Sequence, residues 1–488
     1  MKRNNLTTAV VAGIAGVAGF AGLANAVDLN PDGLGQVLLY PYYTVNKGQD
    51  TLFSVVNTDA INGKAVKVRF LEGYNSREVL DFNLFLSPND VWTAHVSQLS
   101  DDGGAAVFTT DKSCTTPAIP TGGAPFSKAT YTGTSITPFN VKDSGPQDIT
   151  RTREGYLEII SMGDIIPTTP LADAITHDAG VPPGCNTAVT TANNPAQYLA
   201  PPTGGLFGSG TIINVGEGTF FGYNADAIDG FTDTTLFFGS SALEPSLQQA
   251  NTAALASGAR AFVFINGRLL QADYAFGIDA VSAVFMSDAL YNEYLVPAGL
   301  GAATDWIVTF PTKRFYVDPA FVGGTAIAPF SETFGESADG ESNVAVGIAL
   351  YDQEEGTTTV SEGFSPPVGS RPSSLPYEVN VISFLASTTA GEPSGVFGSF
   401  LRPNITPFGD AGWLRLGLND AVEPHALPGG VTPTGTATLN GLPATGHMGY
   451  NVINANAAPG KLANYGGLFR HRASRSCVST GTADDACS

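Results

Sequence analysis

The sequence predicts a mainly β protein: two antiparallel β-sandwich-like domains with a short helical section between them. Three observations carry this. Only 14% of the 488 residues are charged, with 57 Gly and 32 Pro, which excludes coiled coils and helical bundles, since both need far more Glu, Lys and Arg. Apolar residues recur at a period of two, as where Val66, Val68 and Phe70 share one face and Lys67 and Arg69 the other. Polar turn signals, among them Asn46-Lys47-Gly48, Asn62-Gly63 and Ser87-Pro88-Asn89-Asp90, punctuate these runs at the close spacing of antiparallel sheets. A hydrophobic content of 43% with 29 Phe excludes disorder.

Residues 1–26 combine Lys2-Arg3, an apolar stretch and the small-residue box Ala24-Asn25-Ala26, the pattern of a cleaved signal peptide. Its removal takes two cations and no acid, leaving 462 residues and moving the formal charge from −21 to −23. That acidity excludes a nucleic-acid binder, whose footprint is a basic patch. The expected location is extracellular or at the cell surface, with the periplasm as the alternative. No later run reaches 18 apolar residues, so no transmembrane segment is expected after the signal. Irregular strand spacing and a polar tail speak against an outer-membrane barrel.

On size alone 462 residues call for two cores. The N-terminal β-sandwich-like domain is expected over 27–230, with strands at 36–45, 51–57, 66–70, 79–86, 156–160, 210–215 and 219–223. Two stretches rich in polar residues, Pro and Gly, 109–152 and 167–205, read as long polar loops. The section 231–300 reads as helical and connecting. Gln and Ala crowd 246–257, and in 279–296 Asp279 can cap while Val281, Val284, Phe285 and Leu290 fall near one stripe. The C-terminal β-rich domain, 301–488, is expected to hold strands at 305–310, 315–317, 344–351, 377–385 and 413–418. In the last of these Leu414, Leu416 and Leu418 alternate with Trp413 and Arg415.

Four cysteines in an exported chain read as two disulfides with three connectivities open; Cys114 with Cys185 and Cys477 with Cys487 is the simplest. Asp28, Asn30 and Asp32, followed by Gly33, match the front half of a calcium loop, because alternate oxygen ligands can wrap a hard cation. Leu39 stands where a bidentate Glu belongs, so an acidic turn is the competing reading. Glu332, Glu336, Asp339 and Glu341 form a second acidic group, and Asp352, Glu354 and Glu355 a third. Apart from calcium, no cofactor is expected.

The five histidines form no zinc motif, and there is no nucleophile elbow. Asp143-Ser144-Gly145 is half of an aspartic-protease motif without a second copy, and Leu442-Pro443-Ala444-Thr445-Gly446 matches a sortase pattern without the apolar span that should follow. Trp92, Trp306 and Trp413 can stack on sugars if exposed, but each lies in or beside an apolar strand, which favours the core. Arg470, His471, Arg472 and Arg475 make the only basic cluster. It suits an acidic surface of a neighbouring copy, an anionic polysaccharide, or the capping of the chain's own last strand.

Several stretches together carry a resemblance: Gly33-Leu34-Gly35-Gln36-Val37-Leu38-Leu39-Tyr40-Pro41-Tyr42-Tyr43, the run 64–92, the run 305–317, and Leu462-Ala463-Asn464-Tyr465-Gly466-Gly467-Leu468-Phe469-Arg470. The chain resembles uncharacterised exported or cell-surface β-rich proteins of Gram-negative proteobacteria. The resemblance implies a compartment and a β-rich build, and supplies no activity, cofactor or site residue. The expected function is an acidic structural or interaction protein without catalytic activity. Its partners are other surface proteins or copies of itself, with 36–45 as the strand that adds to a neighbour. The alternative is a secreted polysaccharide-binding protein or glycoside hydrolase with the long loops shaping a cleft.

Overall fold

The computed structural model describes residues 26–101, 103–134, 142–186, 195–252, 258–334, 340–359, 374–384, 392–419, 424–481 and 486–487. Residues 1–25 of the expected signal, Glu336, Asp339 and parts of both long polar stretches lie outside them. Strand makes up about 48% and helix about 11%, so the chain is mainly β.

The first half is two sheets face to face. One contains, in order, Asp28–Leu29, Asp226–Asp229, Val37–Thr44, Glu154–Ile165, Gly63–Glu72, Glu78–Leu86 and Cys114–Thr116. The other runs Thr219–Asn224, Leu206–Asn214, Asp50–Asn57, Val91–Gln98, Ala105–Phe108 and Ala124–Pro125. Alternate residues of each strand point inward and meet edge to face: Phe53 on Phe70 at 5.5 Å and Phe82 on Trp92 at 5.7 Å between ring centroids. The strand Val37–Thr44, the candidate for joining a neighbour, is fully buried and paired on both sides, so it offers no free edge.

Lys67 and Arg69 are not on a solvated face. Both are buried, as is Lys64, because residues 232–242 cross the outer face of that sheet. The crossing is pinned by Gln36 Nε2 to the Thr232 carbonyl (2.9 Å), Asn83 Nδ2 to Phe238 O (2.9 Å) and Lys67 Nζ to Ala242 O (2.8 Å). The polar stretches also reach inward: 109–152 delivers Asp143 and Arg151 to buried positions, and 167–205 packs Leu171, Ile175 and Leu199 around Cys114.

Among its described residues, the section 231–300 holds one helix, Gly277–Phe285, and more strand than helix, where a helical section was expected. Ala259–Ile265 and Arg268–Tyr274 form a hairpin, with Asn266 and Gly267 both at positive φ (52° and 78°) as a tight hairpin turn requires. Ala259, Ala261, Val263 and Ile265 are buried while Phe264 is exposed, a period of two that Gln- and Ala-rich flanks disguise. The helix is only Gly277–Phe285, and Ala289–Leu295 is a strand. Of 246–257, Leu247–Gln249 forms one 3-10 turn and 253–257 lies outside the described residues. The expected strand 315–317 is a helical turn, Arg314–Val317, followed at once by Asp318 capping a second turn.

Two five-stranded sheets pack on each other in the second half. One is ordered Thr357–Thr359, Gly347–Asp352, Ala411–Gly417, Ala289–Leu295 and Arg472–Ser474. The other is ordered Asn404–Ile405, Val379–Phe384, Ala302–Thr309, Thr445–Ala458 and Lys461–Arg470. Tyr294 of the first stacks on Phe384 of the second at 5.1 Å, and Trp306 Nε1 donates to Glu293 O at 2.9 Å. The apolar interior is continuous between the halves. Phe397 meets both Tyr42 and Phe221, and Val379 N–H donates to Gly73 O at 2.9 Å.

Candidate interaction surface

The densest chemistry is buried. Glu72 lies at the end of Gly63–Glu72, where the tight connection to Glu78–Leu86 aims the N–H groups of Tyr74, Asn75 and Arg77 at its carboxylate. Arg151 completes it with a two-pronged pair (2.8 and 3.0 Å) and also holds Asp143 (2.8 Å). Asp143 therefore has a structural partner, and its Gly145 neighbour merely closes a turn on it. Nearby, burial pushes the Lys313 ammonium down to about 8 and the Glu378 carboxyl up to about 8. Lys313 is spent on the carbonyls of Ser342, Pro376 and Tyr377. The adjoining cavity, lined by Arg69, Glu158 and Arg314 among others, is about 30 Å³, room for a water or two and too small for a substrate. This network keys the fold together.

The predicted sites disperse. Asp28 faces Asp229 across paired strands, and burial followed by that like charge pushes its carboxyl up to about 6. Asn30 instead accepts from Asp32 N–H (3.0 Å) and donates to Leu34 O (2.7 Å), closing a turn. Among the described residues no group of three or more His, Cys, Asp or Glu is placed to hold a metal ion. Glu332 holds Asn343, and Asp352 folds its own turn onto Glu354 and Gly356. Both disulfides form as the simplest pairing has them, Cys114–Cys185 and Cys477–Cys487. The sortase-like pentapeptide is buried in strand Leu442–Pro443 and the start of Thr445–Ala458. The basic cluster is taken apart: Arg470 pairs with Asp226 at 2.6 Å, His471 sits under Trp306, and Arg475 donates inward to Val284 O.

Trp92 and Trp306 are wholly enclosed, whereas Trp413 is 38% exposed. Its strand, Ala411–Gly417, turns Leu414 and Leu416 to the core and Trp413 and Arg415 outward, as alternation requires. Register then builds a two-row outer face. One row is Arg472, Tyr291, Arg415 and Ala349; the other is Glu293, Trp413, Tyr351 and Thr357. Trp413 stacks on Tyr351 with centroids 4.1 Å apart and planes 11° apart, and Tyr291 stands 6.4 Å away on the other side. Among the described arginines, Arg415 and Arg472 alone form neither an ion pair nor a side-chain hydrogen bond, and Tyr291 separates them. The sequence signal for this face was the Trp413/Arg415 alternation; Tyr291, Glu293 and Tyr351 carried none.

A second open face lies on the six-stranded sheet, where a groove of about 340 Å³ is lined by Leu52, Ser54, Thr93, His95, Ser209 and Thr211 among others. Its polar groups are largely engaged: Thr109 with Thr93 O, Ser54 with Ser209, and the His95 ring stacked on Phe108. Comparison with protein-family models, curated proteins and solved structures gives no match, so the chemistry of the chain itself must carry the functional reading.

Proposed function

We propose that the protein is an exported, acidic interaction protein of the cell exterior that works by binding rather than catalysis, through the outer face around Trp413. The observation that supports this is the pairing of an exposed Trp–Tyr stack with two unpartnered arginines on a rigid sheet. Trp, Tyr and Arg are the residues that concentrate binding energy, and a sheet face holds them without ordering cost. The test is retention of the labelled, oxidised protein on washed cells of the bacterium that makes it. Trp413→Ala with Arg415→Gln should lower retention at least tenfold, while Phe264→Ser, exposed on a different sheet, should not. Equal retention of all three proteins would refute the reading.

A second reading, self-assembly, rests on Lys461–Arg470, which ends its sheet paired on one side only and exposes Leu462, Tyr465 and Phe469. Sedimentation velocity at rising concentration decides it: a growing oligomer abolished by Tyr465→Pro supports it, and a constant monomer removes it.

A further inference from the structure

We propose that the face formed by Tyr291, Glu293, Tyr351, Trp413, Arg415 and Arg472 is a binding site for an acidic polysaccharide. This deepens the reading above and rests on it. Tyr351, Trp413 and Tyr291 lie on three adjacent strands, Tyr291 in the neighbouring row, and span about 10 Å, enough for two consecutive pyranose rings to lie against them. Such rings present polarised C–H groups to the electron-rich faces of Trp and Tyr. The guanidinium groups supply what a neutral sugar leaves unused. Arg415 and Arg472 both stand opposite Tyr291, one on each side, so their backbones are about 10 Å apart with an aromatic ring between them. Each fork can take a carboxylate or sulfate in a two-pronged, charge-assisted bond. Elsewhere among the described residues, the chain satisfies its arginines internally, down to Arg470, which pairs with Asp226 although its own side chain is 58% exposed. Two cations left open on one face of a chain with net charge −21 therefore mark complementarity to an external anion. Glu293, opposite Trp413, is exposed and can accept from sugar hydroxyls.

A neutral glycan would leave both guanidinium groups without partners. An acidic peptide would use the arginines but not the stack, and strand addition needs an edge rather than a face.

The experiment titrates the full, oxidised chain with polygalacturonate and chondroitin sulfate, against dextran and poly-glutamate as comparators. Polyuronate or sulfated glycan should bind, weakened by salt. Arg415→Gln and Arg472→Gln should each weaken it about tenfold and together about a hundredfold, and Trp413→Ala about tenfold, with unfolding midpoints unchanged. Equal binding of poly-glutamate, or equal binding of dextran, overturns the assignment. So does the absence of binding to both acidic polymers. If that absence coincides with cell retention that the face variants still abolish, the polysaccharide falls and the interaction reading stands. If the variants leave retention untouched, both fall.

Discussion

Glu154 and Ser399 stand 245 residues apart in the chain, yet the Ser399 hydroxyl donates to the Glu154 carboxyl group at 2.5 Å. Phe400 N–H (3.0 Å) and the Tyr42 hydroxyl (2.9 Å) donate to the same group, so one buried side chain ties the first sandwich to the segment crossing from the second half.

Because such ties and the apolar interior are shared, unfolding should be a single cooperative event. Tryptophan fluorescence and far-ultraviolet circular dichroism should trace the same urea curve. Glu154→Ala, which strands three donors, should cost about 3 kcal/mol, and Glu154→Gln clearly less. Two resolved transitions would show that the halves fold independently.

Arg151 hydrogen-bonds both Glu72, with two prongs, and Asp143. Removing it takes the two-pronged partner from buried Glu72 and leaves Asp143 only the longer pair with Arg77 at 3.6 Å, so Arg151→Met should destabilise by about 3–5 kcal/mol. Arg151→Lys should recover little, since an ammonium cannot span both carboxylates as a planar fork does. Denaturant midpoints measure both, and a loss under about 1 kcal/mol for Arg151→Met would refute the network's role.

Acid should weaken the fold through two histidines. Burial first, then His471 and Arg470, pushes His447 down to about 3. Burial, aided by Arg470, pushes His471 down to about 4 against the opposing bond to Ile307. The geometry agrees for His471: Nε2 faces Ile307 O at 2.9 Å and must donate, leaving Nδ1 to accept from Asn292 Nδ2 at 3.2 Å. Both folded values lie below the ordinary 6.5. Between pH 6.5 and about 4 the unfolded chain therefore binds protons that the folded chain refuses. Stability falls as pH drops, by up to about 1.4 kcal/mol per pH unit for each histidine. His471→Gln, which keeps an amide donor for Ile307, should flatten the slope between pH 7 and 5 by one histidine's share. An unaltered slope would refute the assignment.

The disulfides should contribute unequally. Cys114–Cys185 closes 71 residues and Cys477–Cys487 only 10. On chain entropy their removal by paired Cys→Ser changes should cost about 4 and about 3 kcal/mol respectively. Thermal unfolding of the two variants gives the order, and a larger loss for the short loop would contradict it.

What was legible in the sequence was what local chemistry dictates. Period-two runs such as 79–86 and 413–418 placed strands, because a sheet face half in the core must alternate. Four cysteines left three pairings open, and the structure forms the simplest, each with its neighbour in sequence. Helix and strand were confused at 259–265, 289–295 and 314–317, where short runs fit both periods and neighbouring strands decide.

Placement of the candidate face was a tertiary matter. Alternation sets Trp413 on the face opposite Leu414 and Leu416, but nothing local says that this face stays open while Trp92 and Trp306 lie inside. Alternation puts Lys67 and Arg69 on the face opposite Val66, Val68 and Phe70, and residues 232–242 laid over that face bury them. Arg472 and Arg415 are 57 positions apart in the chain and flank the same tyrosine only because their strands pair on either side of Ala289–Leu295. The sequence by itself determined the β build and the acidity, since composition and period act on each strand alone. Which residues stay uncovered, and which come to stand together, depends on strand order and on what crosses each sheet. Those are set by the packing of the whole chain.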